Sequence, residues 1–421
     1  MTHQVSLTVI TEIEDVGPLK DVLGSIHGNH GKEPIVAFGR MPTLHFARFF
    51  VMDEAKDLRG RTLAPKLAYL ANVDAPLDAH LEGLADLGSD GLDSIYQYCK
   101  GYPAPGERTR QSRLAYLRRH QVRTQAFYAN GIGRTVEQIR QEEDLRQKIE
   151  SFLDRQGHTE SDPVNVRAAI QDYVRGEPSL DWARSPAARP SMAWRLGQAV
   201  DLVSWPLLAL LLSPLILIAL PLFLIVLRRH EETDQEDDSG ASEESILRAR
   251  ADEDFGVQNQ VIAIGSFKPG PFRLVLTVIV LRLTQWTTHH LFVDGALSGL
   301  RTIHFARWVR VDGYRRLFFT SNYDGSLESY QDDFIDKAAS GLNAIFSSGD
   351  GFPYTRYLAC IGIRDEQKYK RFLPTRQVPS QVWYSAYPQL SVINVNNNAQ
   401  IRKDLFSRLH RSETEEWLRR L

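Results

Sequence analysis

Cysteine is scarce in this 421-residue chain: there are two, Cys99 and Cys360, one in each half. No CxxC pair exists and no Cys/His cluster has zinc-binding spacing, so no structural zinc site is expected. The low cysteine use fits a reducing compartment. A surplus of charge is missing too. The formal net charge is -2, whereas coating nucleic acid requires a basic excess on at least one domain, so no nucleic-acid partner is expected. Residues 1–12 lack a basic region followed by an apolar stretch, which argues against a cleaved secretion signal. The chain also lacks a GxxxxGKS or GxxxxGKT phosphate loop, a GxSxG elbow, an HExxH pair and a paired-carboxylate metal motif. Phosphate-loop enzymes, elbow-type serine hydrolases and zincins are thereby disfavoured.

What is present begins with an uncharged apolar run. No charged residue occurs from Leu202 to Leu227, and a spanning helix needs roughly 20 apolar residues. A helix apolar all round belongs in a membrane or a large core. Trp194, Trp205 and the pair Arg228 and Arg229 suit the two interfacial ends. Pro206, Pro214 and Pro221 interrupt the run and can bend a helix. Basic residues flank both sides, so the charge rule gives no vote for opposite faces. Two readings stay open: a single kinked span, or a re-entrant or monotopic hairpin bent near Pro214. A second apolar stretch, FRLVLTVIVLRLTQW at 272–286, is broken by Arg273 and Arg282. It reads either as an interfacial helix whose arginines snorkel to the headgroups or as a core helix on a sheet.

The two halves repeat one another. LHFAR at 44–48 recurs as IHFAR at 303–307, and LAYLANVDAPL at 67–77 aligns with LFFTSNYDGSL at 317–327. GLDSIYQYCKGYP at 91–103 aligns with GLNAIFSSGDGFP at 341–353, and QVRTQAFY at 121–128 with QVPSQVWY at 377–384. The order is kept throughout, which points to an internal duplication. Within each half the pattern predicts a strand (5–13; 260–267), a helix, and a hairpin of two strands (45–52 and 66–73; 302–311 and 316–323). An amphipathic helix from about 77 or 327 follows, then a fourth strand (124–129; 381–387) and a last helix (136–155; 398–411). The fold class expected is α+β, with two ferredoxin-like β-α-β-β-α-β repeats forming a pseudo-dimeric barrel around the inserted apolar segment. The domain plan is 1–155 for the first repeat, 156–201 for a connector and 202–229 for the membrane segment. An acidic, solvated linker at 230–256 and the second repeat at 257–421 complete it. If the repeats pack together they lie on one side of the membrane, which favours the hairpin and puts both halves on the cytoplasmic side.

Strand alternation sets His45 and Arg48 on opposite faces, and likewise His304 and Arg307. A His facing the interior could ligate haem iron or act as a base, or simply pack with one satisfied hydrogen bond. Asp74 and Asp324 end their strands just before a helix, where an Asp serves as N-cap or as an acid at a pocket rim. His289 and His290 would make a poor chelate, because neighbours on a helix diverge by about 100°. Trp383, Tyr384 and Tyr387 read as core or pocket lining, and Asn396, Asn397 and Asn398 as a turn and N-cap.

A duplicated barrel carrying Ser321-Asn322-Tyr323-Asp324-Gly325 resembles the dye-decolourising peroxidases, whose motif is Gly-x-x-Asp-Gly. Ser321 replaces the leading Gly, and the first half has Ala71-Asn72-Val73-Asp74-Ala75. The resemblance implies haem, with Asp324 as the acid that serves peroxide cleavage, Arg307 beside it, and His304 or another His as the iron ligand. Two functions are therefore expected in competition. One is a membrane-bound oxidoreductase acting on an apolar or lipid-derived substrate through His304, Asp324 and Arg307. The other is a non-catalytic membrane-anchored module that binds lipid or docks a partner.

Overall fold

The computed structural model describes residues 3–27, 36–156, 162–234, 256–292 and 296–421. Its eight main strands are β1 (Gln4–Glu12), β2 (Leu44–Met52), β3 (Lys66–Asp74), β4 (Ala126–Ala129), β5 (Gln258–Ser266), β6 (Ile303–Val311), β7 (Arg316–Asp324) and β8 (Val382–Ser385). They form two antiparallel four-stranded sheets with the same internal order, β1-β3-β2-β8 and β5-β7-β6-β4. The sheets pack face to face: Phe50, Met52, Ala68 and Leu70 of one share a core with Ile262, Val309, Val311 and Phe318 of the other. Burial on both faces explains why β2 and β3 read as near-continuous apolar runs.

The fourth strands are exchanged. β8, from the second half, pairs with β2, and β4, from the first half, pairs with β6. Each crossing segment first bridges the edge of its own sheet, Gln121 to Val9 and Gln377 to Ala263, and then runs on into the opposite sheet. This is the corner device by which strands switch sheets. The repeated QVxxQ block specifies it. Its second glutamine accepts an edge amide of the sheet it enters: Gln125 Oε1 from Arg310 N at 2.6 Å, and Gln381 Oε1 from Val51 N at 2.8 Å. The self-contained repeat expected for each half is thus replaced by two interlocked halves, and neither sheet closes into a barrel.

Helices α1 (Val16–His27), α2 (Leu77–Leu87), α3 (Ser89–Tyr96) and α4 (Arg110–Arg119) cover the outer face of the first sheet. α5 (Val136–Gln156) closes the first repeat, and α6 (Pro163–Gly176) follows within the connector. α7 (Met192–Leu211) and α8 (Ser213–Glu232) carry the apolar run. α9 (Pro271–His290), α10 (Leu327–Lys337), α11 (Ala339–Phe346) and α12 (Glu366–Arg376) cover the second sheet. α13 (Val392–Leu405) and α14 (Arg411–Leu418) pack with α5 and α6 in a helical layer.

The last helix begins earlier than predicted. A capping box between Ser391 and Asn394 starts α13, so Asn396, Asn397 and Asn398 lie inside it rather than in a turn. Asn398 is buried and donates to Glu143 at 2.7 Å.

α8 is long and apolar enough to cross a membrane. Every residue from 202 to 222 except Ser213 is exposed, while both flanks are tied to the body. On the α7 side, His290 pairs with Asp201 at 2.9 Å, Trp286 Nε1 donates to the Asp201 carbonyl, and Trp194 stacks on His3. On the α8 side, Phe223 and His230 meet Phe272. Glu231, expected in a solvated linker, is instead buried and accepts from Thr355 Oγ1 and from the amides of Tyr357 and Leu358. The rest of that linker, 235–255, lies outside the described residues. α9 combines parts of both sequence readings: Leu276 and Leu281 are buried, and Arg273, expected to snorkel, is buried on Asp234 instead, whereas Val275, Ile279 and Leu283 form an exposed stripe with Arg282.

Candidate functional site

Two histidines of the repeated HFAR strands sit at one end of the inter-sheet core. His304 Nε2 meets Asp324 Oδ1 at 2.8 Å, and His45 Nε2 meets Asp74 Oδ1 at 3.0 Å. The second oxygen of each carboxylate caps a helix, but not the helix next in sequence. Asp74 Oδ2 accepts from Val136 N of α5, and Asp324 Oδ2 from Val392 N of α13. The helix that follows Asp324 is capped by Ser326 instead, and α2 has Pro76 at that position. The expectation of a local N-cap is corrected accordingly. Each aspartate ends a strand at the point where the helix after an exchanged strand begins, and that long-range amide is the one within reach. His45 Nδ1 also meets Tyr387 Oη at 2.9 Å.

Alternation fails for the histidines. Each strand has an irregularity just here, between Leu44 and Phe46 and between Ile303 and Phe305, and a bulge turns two successive residues toward one face. His304 therefore contacts Phe46 of the opposite sheet, with ring centroids 5.4 Å apart, and Arg307 reaches that same sheet.

The arginines cross between the sheets. Arg48 donates to Gln260 Oε1, the Val261 and Ser321 carbonyls and Asn322 Oδ1. Arg307 donates to the Leu7 and Ala71 carbonyls, Thr8 Oγ1 and Asn72 Oδ1. Burial pulls each guanidinium pKa down to about 9, and Arg48 adds repulsion on Arg307. Both stay charged at neutral pH, solvated by carbonyl oxygens in place of water. The structure thus brings His304 and Asp324 together but turns Arg307 to a separate task, holding the sheets to one another.

Haem does not fit here. His304 uses Nε2 on Asp324, and its ring lies between Phe46 and Tyr387. His304, Asp324 and Arg307 line none of the cavities described below. Among the described residues no group of three or more His, Cys, Asp or Glu is placed to hold a metal.

The open concave surfaces lie elsewhere. A cavity of about 640 Å³ is bounded by the start of β1, the crossing segment 121–127, the outer face of α9 and Trp194. Its charged lining is Arg118, Arg123 and Arg282, with His3 and His289, and it includes no carboxylate. A second cavity of about 730 Å³ shares Val122, Arg123 and Gln125 and adds Arg119 and Arg310, together with Glu12 and Asp312, which pair with Lys100 and Lys66 of the same lining. Gln285, also in the lining, accepts from the β4 edge amide of Phe127 and meets His289 at 2.7 Å. Burial and neighbouring His290 lower the His289 pKa to about 4, so it is neutral at pH 7. The sequence signal for this cluster is a run from Glu107 to Glu137 that holds seven arginines and no carboxylate between them. An apolar pocket also lies on the outer face of the second sheet, under α12, lined by Phe319, Phe334, Phe346, Phe352 and Phe372, but its free volume is only about 50 Å³.

Comparison with known proteins finds no matching family model, curated protein or solved structure.

Proposed function

We propose that this chain is a non-catalytic, membrane-anchored binding module, held to one face of a bilayer by the apolar segment of α7 and α8. The observation that carries the reading is the join between halves. Chain on both sides of residues 202–222 contributes to each sheet, through β8 on β2 and β4 on β6. A bilayer cannot run between hydrogen-bonded strands, so the segment has to leave and re-enter the same side. Its reach agrees. Leu212 is 11 residues, about 16 Å of helix, from each anchored end, Asp201 and Phe223; with those ends roughly 21–27 Å apart, it rises about 9–13 Å above the line joining them. That depth stays within one leaflet, half of a hydrocarbon core roughly 30 Å thick. The exposed stripe of α9 would extend the same membrane face. Matching sheet order, paired HFAR strands and twin QVxxQ crossings support an origin of the halves as two copies of one unit. The paired His and Asp groups serve that scaffold: each is satisfied internally and buried away from the cavities.

Replacing residues 202–222 by a flexible linker tests this. Asp201 and Phe223 dock near opposite ends of α9, roughly 21–27 Å apart by helical rise, which about 12 extended residues cover. The shortened chain is expected to stay in solution without detergent and to lose only the helical circular dichroism of the replaced residues. Persistent sedimentation with membranes, from a folded protein, would refute the anchor.

A further inference from the structure

The arginine-lined cavity has more positive charge than its surroundings neutralise. Arg118 is paired with Asp78 at 2.7 Å. Arg123, Arg282 and Arg310 form no ion pair among the described residues, although the chain as a whole is slightly acidic. Arg123 and Arg282 line the first cavity, and Arg310 lines the adjoining second one, which shares Arg123; burial lowers the Arg310 pKa, and the charges of Arg282 and Arg123 lower it further. The Arg310 Nε is buried without a hydrogen-bond partner, and its guanidinium lies 4.1 Å over the Tyr314 ring, which holds it in place. Guanidiniums gathered in two adjoining cavities with spare donors repel one another unless an anion joins them, and their planar forks suit phosphate oxygens.

The position of the cavity selects among anions. Arg282 lies within the exposed apolar stripe of α9, beside Ile279 and Leu283. Trp194, on the opposite rim, sits at the start of the helix that carries the apolar run. A ligand seated on the arginines would therefore have an apolar path leading away along α9 and α7. Basic pockets beside membrane-embedded helices bind phosphorylated headgroups in this way.

We propose that the cavity binds the phosphate headgroup of an anionic phospholipid, with Arg123 and Arg282 as its direct cationic contacts, Arg310 of the adjoining cavity adding to the positive field, and the acyl chains running past Trp194 along α9. The lipid part of the assignment rests on the membrane-anchored reading; the phosphate part rests on the arginines alone.

The test is thermal unfolding of the full chain in neutral detergent with added short-chain phosphatidic acid, phosphatidylcholine of the same chain length, or inorganic phosphate. Phosphatidic acid is expected to raise the midpoint in a concentration-dependent way, as any ligand of the native state does. Phosphatidylcholine and inorganic phosphate should do so far less. The variant Arg123→Gln/Arg282→Gln should weaken the apparent affinity by about tenfold or more, since each charge-assisted contact is worth about that factor. Both positions are exposed, so folding should survive. If the double variant has a lowered midpoint without ligand, Arg123→Gln alone, with Arg123→Lys retaining most of the response, decides instead. Equal stabilisation by inorganic phosphate and phosphatidic acid would overturn the lipid assignment. A response to phosphatidic acid that the variants leave unchanged, or no response at all, would overturn the arginine site. Neither result touches membrane attachment, which is read separately from flotation with phosphatidylcholine vesicles and does not involve these arginines.

Discussion

Asp324 illustrates how little a motif says about its own role. One oxygen holds His304 and the other caps α13, whose first amide lies 68 residues away. Replacing it with Ala leaves a buried imidazole and a helix amide without partners, a loss of about 2–3 kcal/mol in stability. Chemical denaturation should show this loss, and Asp74→Ala should behave alike because its contacts match. A peroxidase acid in that position would instead be replaceable without loss of stability. The recurrence of His and Asp was legible in the sequence, but their geometry was not, because the two strand irregularities overturn simple alternation at these residues. A second residue-scale prediction concerns His80, on the buried face of α2, with only Tyr69 Oη, at 3.2 Å, as a partner. Burial lowers its pKa to about 4, below the unfolded value of about 6.5. The unfolded chain then binds the extra proton, so stability is complete above about pH 6.5 and falls as the pH drops toward 4, by about 3 kcal/mol in all. His80→Gln, which can still bond Tyr69, should flatten the dependence of unfolding free energy on pH across that window.

At the scale of elements, the strands and most helices followed from periodicity and repeat alignment. Partners did not follow. An alternating pattern fixes which residues face inward but not which strand lies alongside, and β4 and β8 read equally well as members of their own half. The QVxxQ block carried the missing information, since its glutamines satisfy edge amides of the other sheet, yet such a role is visible only once both sheets are in place. α13 was misplaced because three asparagines resemble a turn, while the capping box stands at Ser391 and Asn394. The exchange predicts interdependence. Residues 1–156 and 257–421, produced separately, should each lack a stable sheet by circular dichroism and hydrogen exchange, because each sheet is short of its edge strand. Mixed during refolding, they should form a one-to-one complex. A stably folded isolated half would show that exchange is dispensable.

For the whole molecule, the sequence showed an apolar run and left its topology open, since the flanking charges are symmetric. The interlocked sheets supply the constraint that charge does not. Residues far apart in the chain, from Val9 to Val382, share one core, and the run between the halves becomes an anchored excursion from a single body. The arginine cluster escaped sequence reading for a related reason: Arg123, Arg282 and Arg310 come from three separate segments that meet only when the fourth strand crosses between sheets. The most direct measurement uses Cys360, which is exposed in the second half, while Cys99 in the first is buried. In sealed vesicles of one orientation, a cysteine introduced at exposed Asp15 and the native Cys360 are treated with a membrane-impermeant maleimide before and after permeabilisation. The same accessibility is expected at both positions. Labelling of one from outside while the other reacts only after permeabilisation would contradict it.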